Sequence, residues 1–250
     1  MTRIISLFNQ AGGVGKSTLT MNLGYHLSTK KRVLLVDTDP QASLTVFMGI
    51  VPSELETTIK DSIIEQEPLP IHGPIHGMDI VPSNILLSAA ERQLTSTLRP
   101  EMRLKTALAE VQDQYDFILI DSPPSLGMLS TLGLVAAQYV LIPSQTQFKS
   151  TQGTDLVLNT IAEIRKVLEH DLQIAGLVPT LFAKGTLQDQ EALGFLKDQL
   201  SQITKVYPPI PRATAFADAV QEGEPLAVYS PSHAAVSTLK KIARDLEKLK

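Results

Sequence analysis

Neither cysteine nor tryptophan occurs among the 250 residues. Without thiols the chain can form no disulfide, no thiolate metal site and no cysteine-ligated iron–sulfur cluster. No apolar run approaches the ~18 residues that cross a bilayer, so a membrane role is not expected. Positive charge is not in excess either. The formal net charge of -4 argues against a globally basic nucleic-acid binder and leaves room only for a local patch. There is no internal repeat and no low-complexity segment. The chain enters an apolar run at once, which leaves no room for a signal peptide and points to a cytoplasmic protein. At this length one large α/β domain over 1–250 is expected.

What is present organises itself around Gln10-Ala11-Gly12-Gly13-Val14-Gly15-Lys16-Ser17-Thr18. The apolar run Ile4–Phe8 precedes it, and Leu19, Leu23 and Leu27 follow at helical spacing, so the order is strand, glycine turn, helix. Glycines let successive backbone N–H groups converge on one point, and the helix N-terminus adds partial positive charge. Gly12, Gly13, Val14, Gly15, Lys16, Ser17 and Thr18 are therefore the expected phosphate cradle. In it Lys16 reaches the β- and γ-phosphates, and the Ser17 hydroxyl binds Mg²⁺. The common formula begins with glycine where this chain has Gln10. A glycine turn that binds nothing is the plainer alternative, and the placement of Gly15-Lys16-Ser17 between strand and helix argues against it.

Further along, Val33–Val36 reads as a strand buried on both faces, ending in Asp37-Thr38-Asp39-Pro40-Gln41. Residues 43–50 suggest a short helix and Thr57–Glu67 another, followed by a loop punctuated by Pro68, Pro70, Gly73, Pro74 and Gly77. Met78–Val81 is a strand, 84–97 a helix, and Arg99–Gln112 an amphipathic helix with Leu104, Leu108 and Val111 on one side. Phe117–Ile120 is a strand ending in Asp121-Ser122-Pro123-Pro124. Helix 126–136, strand Tyr139–Ile142, helix 152–168, strand 174–180, helix 187–200 and a last helix near 233–249 complete the pattern. Strands alternating with helices imply a doubly wound, mostly parallel sheet with helices on both faces, whose ligands sit at the strands' carboxyl ends. Asp37, Asp39, Asp121 and Lys149 all fall just after expected strands, on the glycine loop's rim. Asp121 would hold Mg²⁺ through a water. Asp39 would position the attacking water and Asp37 support the metal, although Asp39-Pro40 also suits an ordinary turn.

These segments, with Ile142-Pro143, Ile210-Pro211-Arg212 and Gly223-Glu224-Pro225-Leu226, resemble the deviant-Walker ParA/MinD ATPases over nearly the whole chain. The resemblance implies ATP and Mg²⁺ as cofactors, a sandwich homodimer formed with ATP, and slow hydrolysis stimulated by a partner protein. It also implies that Pro211 and Arg212 border the adenine, with Thr180 a further candidate. The family's signature lysine, which reaches across the dimer, is missing: its place holds Ala11. Lys149 is the candidate substitute, against the reading of a solvated loop lysine. Among relatives, a missing signature lysine resembles the McdA group that positions carboxysomes on the nucleoid.

Iron–sulfur relatives are excluded by the lack of cysteine. MinD-like membrane attachment is disfavoured, because Val236, Leu239, Ile242, Ala243, Leu246 and Leu249 form a stripe that reads as core packing. The chain starts at its first strand, so an operator-binding domain is not expected. Lys240, Lys241, Arg244 and Lys248 on the last helix, with Lys184, Lys197, Lys205 and Arg212 in the same half, suggest a patch for non-specific nucleoid DNA. A solvated helix face beside Asp245 and Glu247 is the alternative. The expectation is an ATPase that distributes a cargo, carboxysomes or otherwise a plasmid or chromosome, through an adaptor of McdB or ParB type. The rival is an ATP-dependent enzyme that activates a carboxylate, like dethiobiotin synthetase.

Overall fold

The computed structural model describes residues 2–250, with the side chains of 148–153 outside the description. Seven strands are present among them: β1 (Arg3–Leu7), β2 (Val33–Asp37), β3 (His72–Ile75), β4 (Met78–Val81), β5 (Phe117–Asp121), β6 (Tyr139–Gln145) and β7 (Gln173–Thr180). They form one sheet in the order β3-β4-β2-β5-β1-β6-β7. Only β3 runs antiparallel to its neighbour. The helices are α1 (Lys16–Ser28), α2 (Ser43–Phe47), α3 (Ile59–Ile64), α4 (Leu87–Leu94), α5 (Arg103–Ala109), α6 (Met128–Ala136), α7 (Phe148–Val167), α8 (Leu187–Leu200), α9 (Ala215–Gln221), α10 (Leu226–Tyr229) and α11 (Ala234–Leu246). This is the expected doubly wound P-loop architecture.

Two apolar cores lie on opposite sides of the sheet, and the period-2 alternation of strand side chains divides them. Ile4, Leu34, Val36, Ile118, Ile120, Val140 and Ile142 meet α3 to α8 through Ile63, Leu94, Leu108, Leu132, Val157 and Leu196. Ile5, Leu7, Val33, Leu35, Phe117, Leu119 and Leu141 face α1 and α11 through Leu19, Leu23, Leu27, Leu239, Ile242 and Leu246. That parity matters for the site. Asp37 follows Val33 and Leu35 by steps of two, and Asp121 follows Phe117 and Leu119, so both acids are turned to the face that carries α1. The apolar stripe of α11 is spent on this core, as expected.

Several elements differ from the expected ones. The helix over Arg99–Gln112 is shorter, Arg103–Ala109, with a 3₁₀ turn at Pro100–Met102 before it and another at Gln112–Gln114 after. Arg99 is left-handed (φ 49°) and Pro100 opens the first turn, so no helix can begin earlier. The loop after Glu67 contains the edge strand β3, and α9 and α10 lie where no helix was expected. The segment of Lys149, expected as a loop, is the first turn of α7.

Candidate functional site

β1 ends at Leu7, and the glycine loop turns back to begin α1 at Lys16. The turn uses two left-handed glycines, Gly13 (φ 70°) and Gly15 (φ 88°), a conformation that costs other residues free energy. Gly15 is the N-cap of α1, so no side chain caps the helix and no acid occupies its first turn. Its leading N–H groups therefore face the concavity free of side-chain caps, as an anion site requires.

The loop is held from below by Asn9, which the sequence reading missed, and by Thr180 and Gln10, which it singled out for other reasons. Asn9 is buried, and its Nδ2 donates to the Pro143 carbonyl (2.7 Å) at β6 while its Oδ1 accepts from the Ala11 N–H (2.9 Å). Thr180, at the end of β7, donates its hydroxyl to the Val14 carbonyl (2.7 Å). Thr180 was a candidate for the adenine; its buried hydroxyl is instead committed to the loop. Gln10 donates to the Thr160 hydroxyl on α7 (3.2 Å). For Asn9 the one sequence signal was its place immediately before the loop.

Lys16 is buried, with Nζ donating to the carbonyls of Asn9 and Ala11, both at 3.0 Å. Burial lowers its pKa, while Asp121 and Asp39 pull it back up. Asp121 stands in register with Leu7 on one side and with Asp37 on the other. Neighbouring strands are about 4.8 Å apart, so the two acids crowd each other. Both oxygens of Asp121 are buried without a well-formed hydrogen bond, and the Ser17 hydroxyl is the one donor that acts on them. Burial raises its pKa well above the carboxylate range, and Asp37 adds to this; Ser17 and Lys16 act in the opposite direction. An orphaned carboxylate beside a serine hydroxyl, a lysine and uncapped amides suits a cation that brings its own charge. Among the described residues no cluster of three His, Asp or Glu side chains is arranged to hold a metal by itself. Mg²⁺ bound through one hydroxyl, waters and phosphates needs none.

Asp37 is disposed differently from the metal-supporting role read from the sequence. Its Oδ1 accepts from the Asp39 N–H (3.0 Å), and its Oδ2 accepts from the N–H (2.9 Å) and hydroxyl (2.7 Å) of Thr45. Burial pushes it up to about 6 against the pull of these bonds. Its oxygens are thus occupied within the protein. Asp39 Oδ1 accepts from the Gln41 N–H (2.9 Å), closing a turn.

Pro211 bridges Phe182, and the Arg212 N–H donates to the Phe182 carbonyl (3.0 Å). This brings both residues beside the exit of β7, next to Thr180 and the loop. The side chain of Lys149 lies outside the described residues. The basic patch is divided. Lys184 sits after β7 on the nucleotide rim, whereas the end of α11 lies at the strands' amino ends, where Arg3 Nε donates to the Leu249 carbonyl (2.6 Å). Lys240, Lys241 and Arg244 are exposed, but Lys205 (2.6 Å) and Lys248 (2.8 Å) are both paired with Asp245.

Residues 2–174 match the AAA domain family. The chromosome-partitioning ATPase Soj of Treponema pallidum is 34% identical over 251 aligned positions, covering 98% of this chain and 97% of that one. A structure named as cobyrinic acid a,c-diamide synthase from Mycobacterium smegmatis, with bound ATP analog and magnesium, is 30% identical. It superposes with a TM-score of 0.86 over 99% of this chain and 95% of that one. The ATP complex of a variant McdA from Cyanothece reaches a TM-score of 0.90 over 100% and 98%, at 22% identity, which is a likeness of fold alone.

Proposed function

The chain belongs to the AAA-domain family that includes the chromosome-partitioning ATPase Soj, the ParA-type P-loop group its motifs resemble, and from that premise we propose that it is a Mg²⁺-dependent ATPase that partitions or positions a large cargo. The observation that carries this is the juxtaposition of an uncapped α1 N-terminus, the buried Lys16 and an Asp121 without a well-formed hydrogen bond on one face of the sheet. Lys16 and the amides of Gly13 to Thr18 would hold the triphosphate. Ser17 and Asp121 would hold Mg²⁺, which when bound supplies positive charge against the phosphates and Asp121. Asp39 would orient the attacking water. Lys149 is the proposed cation in place of the absent lysine at Ala11, and Pro211 and Arg212 would border the base.

We assign the cargo to nucleoid-linked partition, of a chromosome or plasmid, through an adaptor that stimulates hydrolysis in an ATP-bound homodimer. A carboxysome cargo has the missing lysine at Ala11 and the fold likeness to McdA behind it. Non-specific DNA contact would use Lys240, Lys241 and Arg244. No helix among the described residues is long and apolar enough to cross a membrane. A second reading has one named relative, the diamide synthase, in its favour: an enzyme that uses ATP to activate a carboxylate.

The test is calorimetric titration of the purified chain with Mg·ATP, then gel filtration and DNA retention at two salt concentrations. Saturable binding, ATP-dependent dimerisation and salt-sensitive retention support partition. Absence of Mg·ATP binding refutes the proposal, and turnover that requires a small carboxylic acid replaces it with the enzyme.

A further inference from the structure

The hydrogen bonds around Asp37 form a directed chain. Thr45 is fully buried on α2, and its hydroxyl accepts from the Ser83 N–H (3.0 Å) just past β4. A hydroxyl has one proton to give, and here it is given to Asp37 Oδ2. The Thr45 N–H donates to the same oxygen, and the Asp39 N–H donates to Oδ1. The helix N-cap, Ala42, has no side-chain acceptor, so Asp37 satisfies an α2 amide that a local cap would otherwise take. The chain therefore ties three pieces together: the exit of β4, the first turn of α2, and the backbone of the residue placed to orient water. None of this is visible in a motif, because Ser83 and Thr45 are 38 positions apart.

We infer that Thr45 is a positioning residue for hydrolysis, its hydroxyl fixing the Asp37 carboxylate so that Asp39 is held at one place relative to the phosphate loop. This rests on the water-orienting role proposed for Asp39. Thr45 touches neither the loop nor Lys16 through these bonds, so its loss should act on the hydrolytic step and leave ATP affinity in place. A misplacement of the order of 1 Å is enough to slow an oriented reaction about a hundredfold. Two side effects bound the expectation: valine keeps the volume and the N–H bond, and serine keeps the hydroxyl.

The experiment compares the full-length parent with Thr45→Val and Thr45→Ser. It measures single-turnover hydrolysis, Mg·ATP affinity, and amide hydrogen exchange over residues 38–48. Thr45→Val should slow hydrolysis by about tenfold or more with affinity within about twofold, a pure loss in the chemical step. Exchange over 38–48 should quicken by about fivefold or more, with the glycine loop unchanged. Thr45→Ser should stay within about threefold of the parent on all three measures, since it keeps the donor. Parental hydrolysis in Thr45→Val, proportional loss of affinity and rate, or failure of serine to restore the rate overturns the inference. If the parent itself turns over no ATP, the proposed function fails. The exchange data then still decide the tether, and unchanged exchange in Thr45→Val overturns it. Should the valine variant not fold, Thr45→Ala replaces it under the same expectations.

Discussion

Replacing Asp121 with asparagine should make the chain more stable in the absence of Mg·ATP, although it removes a proposed metal ligand. The side chain is fully buried, and its oxygens have no well-formed hydrogen bond, the Ser17 hydroxyl being the one donor that acts on them. Of the charges around it, the nearest in register is Asp37, which repels it; Lys16 attracts it, but Lys16 also has the Asn9 and Ala11 carbonyls and the field of Asp39. Burial dominates and the pKa is raised, so the ionised form is the one the fold disfavours. The sign follows from linkage: a carboxyl raised in the folded state binds its proton more tightly there than in the unfolded chain. Its contribution to stability is therefore largest below the ordinary value near 4 and is lost as pH rises through the folded value. An unsatisfied buried polar group costs about 1–3 kcal/mol, more if charged, and asparagine leaves part of that cost in place. A net gain of about 2 kcal/mol corresponds to roughly 4–8 °C in a chain of this size. The gap between thermal melts of the two proteins should be wider at pH 8 than at pH 5. Saturating Mg·ATP should then reverse the order, because only the parent gains a ligand at this carboxylate. A lower melting temperature for Asp121→Asn at pH 8 without nucleotide would mean that attraction to Lys16 outweighs burial, and the reasoning would fail.

Asn9→Ala strips the donor from the Pro143 carbonyl and the acceptor from the Ala11 N–H. Each group left unpaired costs about 1–3 kcal/mol, so urea midpoints should fall and ATP affinity weaken, measured by calorimetry. Lys240→Ala, Lys241→Ala and Arg244→Ala together should leave ATP affinity unchanged. They should also flatten the slope of log affinity for DNA against log salt by up to about 0.9 for each phosphate no longer neutralised. Lys205 and Lys248, paired with Asp245, are expected to contribute less.

The central strands were legible because each is a short apolar run with turn residues at its end, and burial on both faces demands such runs. β3 was not, since His72-Gly73-Pro74-Ile75 carries no alternation and sets its single β-former, Ile75, behind a glycine and a proline; its pairing with β4 makes it a strand. α9 and α10, of seven and four residues, are too short for a helical period to stand out between Pro211 and Pro231. The rim residues were legible for a different reason. Asp37, Asp39 and Asp121 end apolar runs, and a charge at that place is visible without knowing the fold. What the sequence could not show is how each is used. The partners of Asp37 lie two and eight positions away, and Asn9 bonds across 134. Only the fold says that one acid is saturated and the other left bare.

That difference between two adjacent acids carries the functional argument further than the motif does. Asp37 and Asp121 occupy matching places on neighbouring strands, face the same side and are equally inaccessible to water. If burial alone had shaped the site, both would be expected to find donors, since nearly all buried polar groups do. Asp37 has three, drawn from the turn that follows it and from α2. Asp121 has no backbone donor, and the one side chain that acts on it as a donor is the Ser17 hydroxyl, itself proposed for the cation. A fold that provides so fully for one carboxylate and leaves its neighbour bare keeps the second for a partner from outside the chain. The uncapped amides of α1 extend the same logic to negative charge. The two unmet demands, a cation for Asp121 and an anion for α1, are of opposite sign, and a magnesium-bound triphosphate meets both at once.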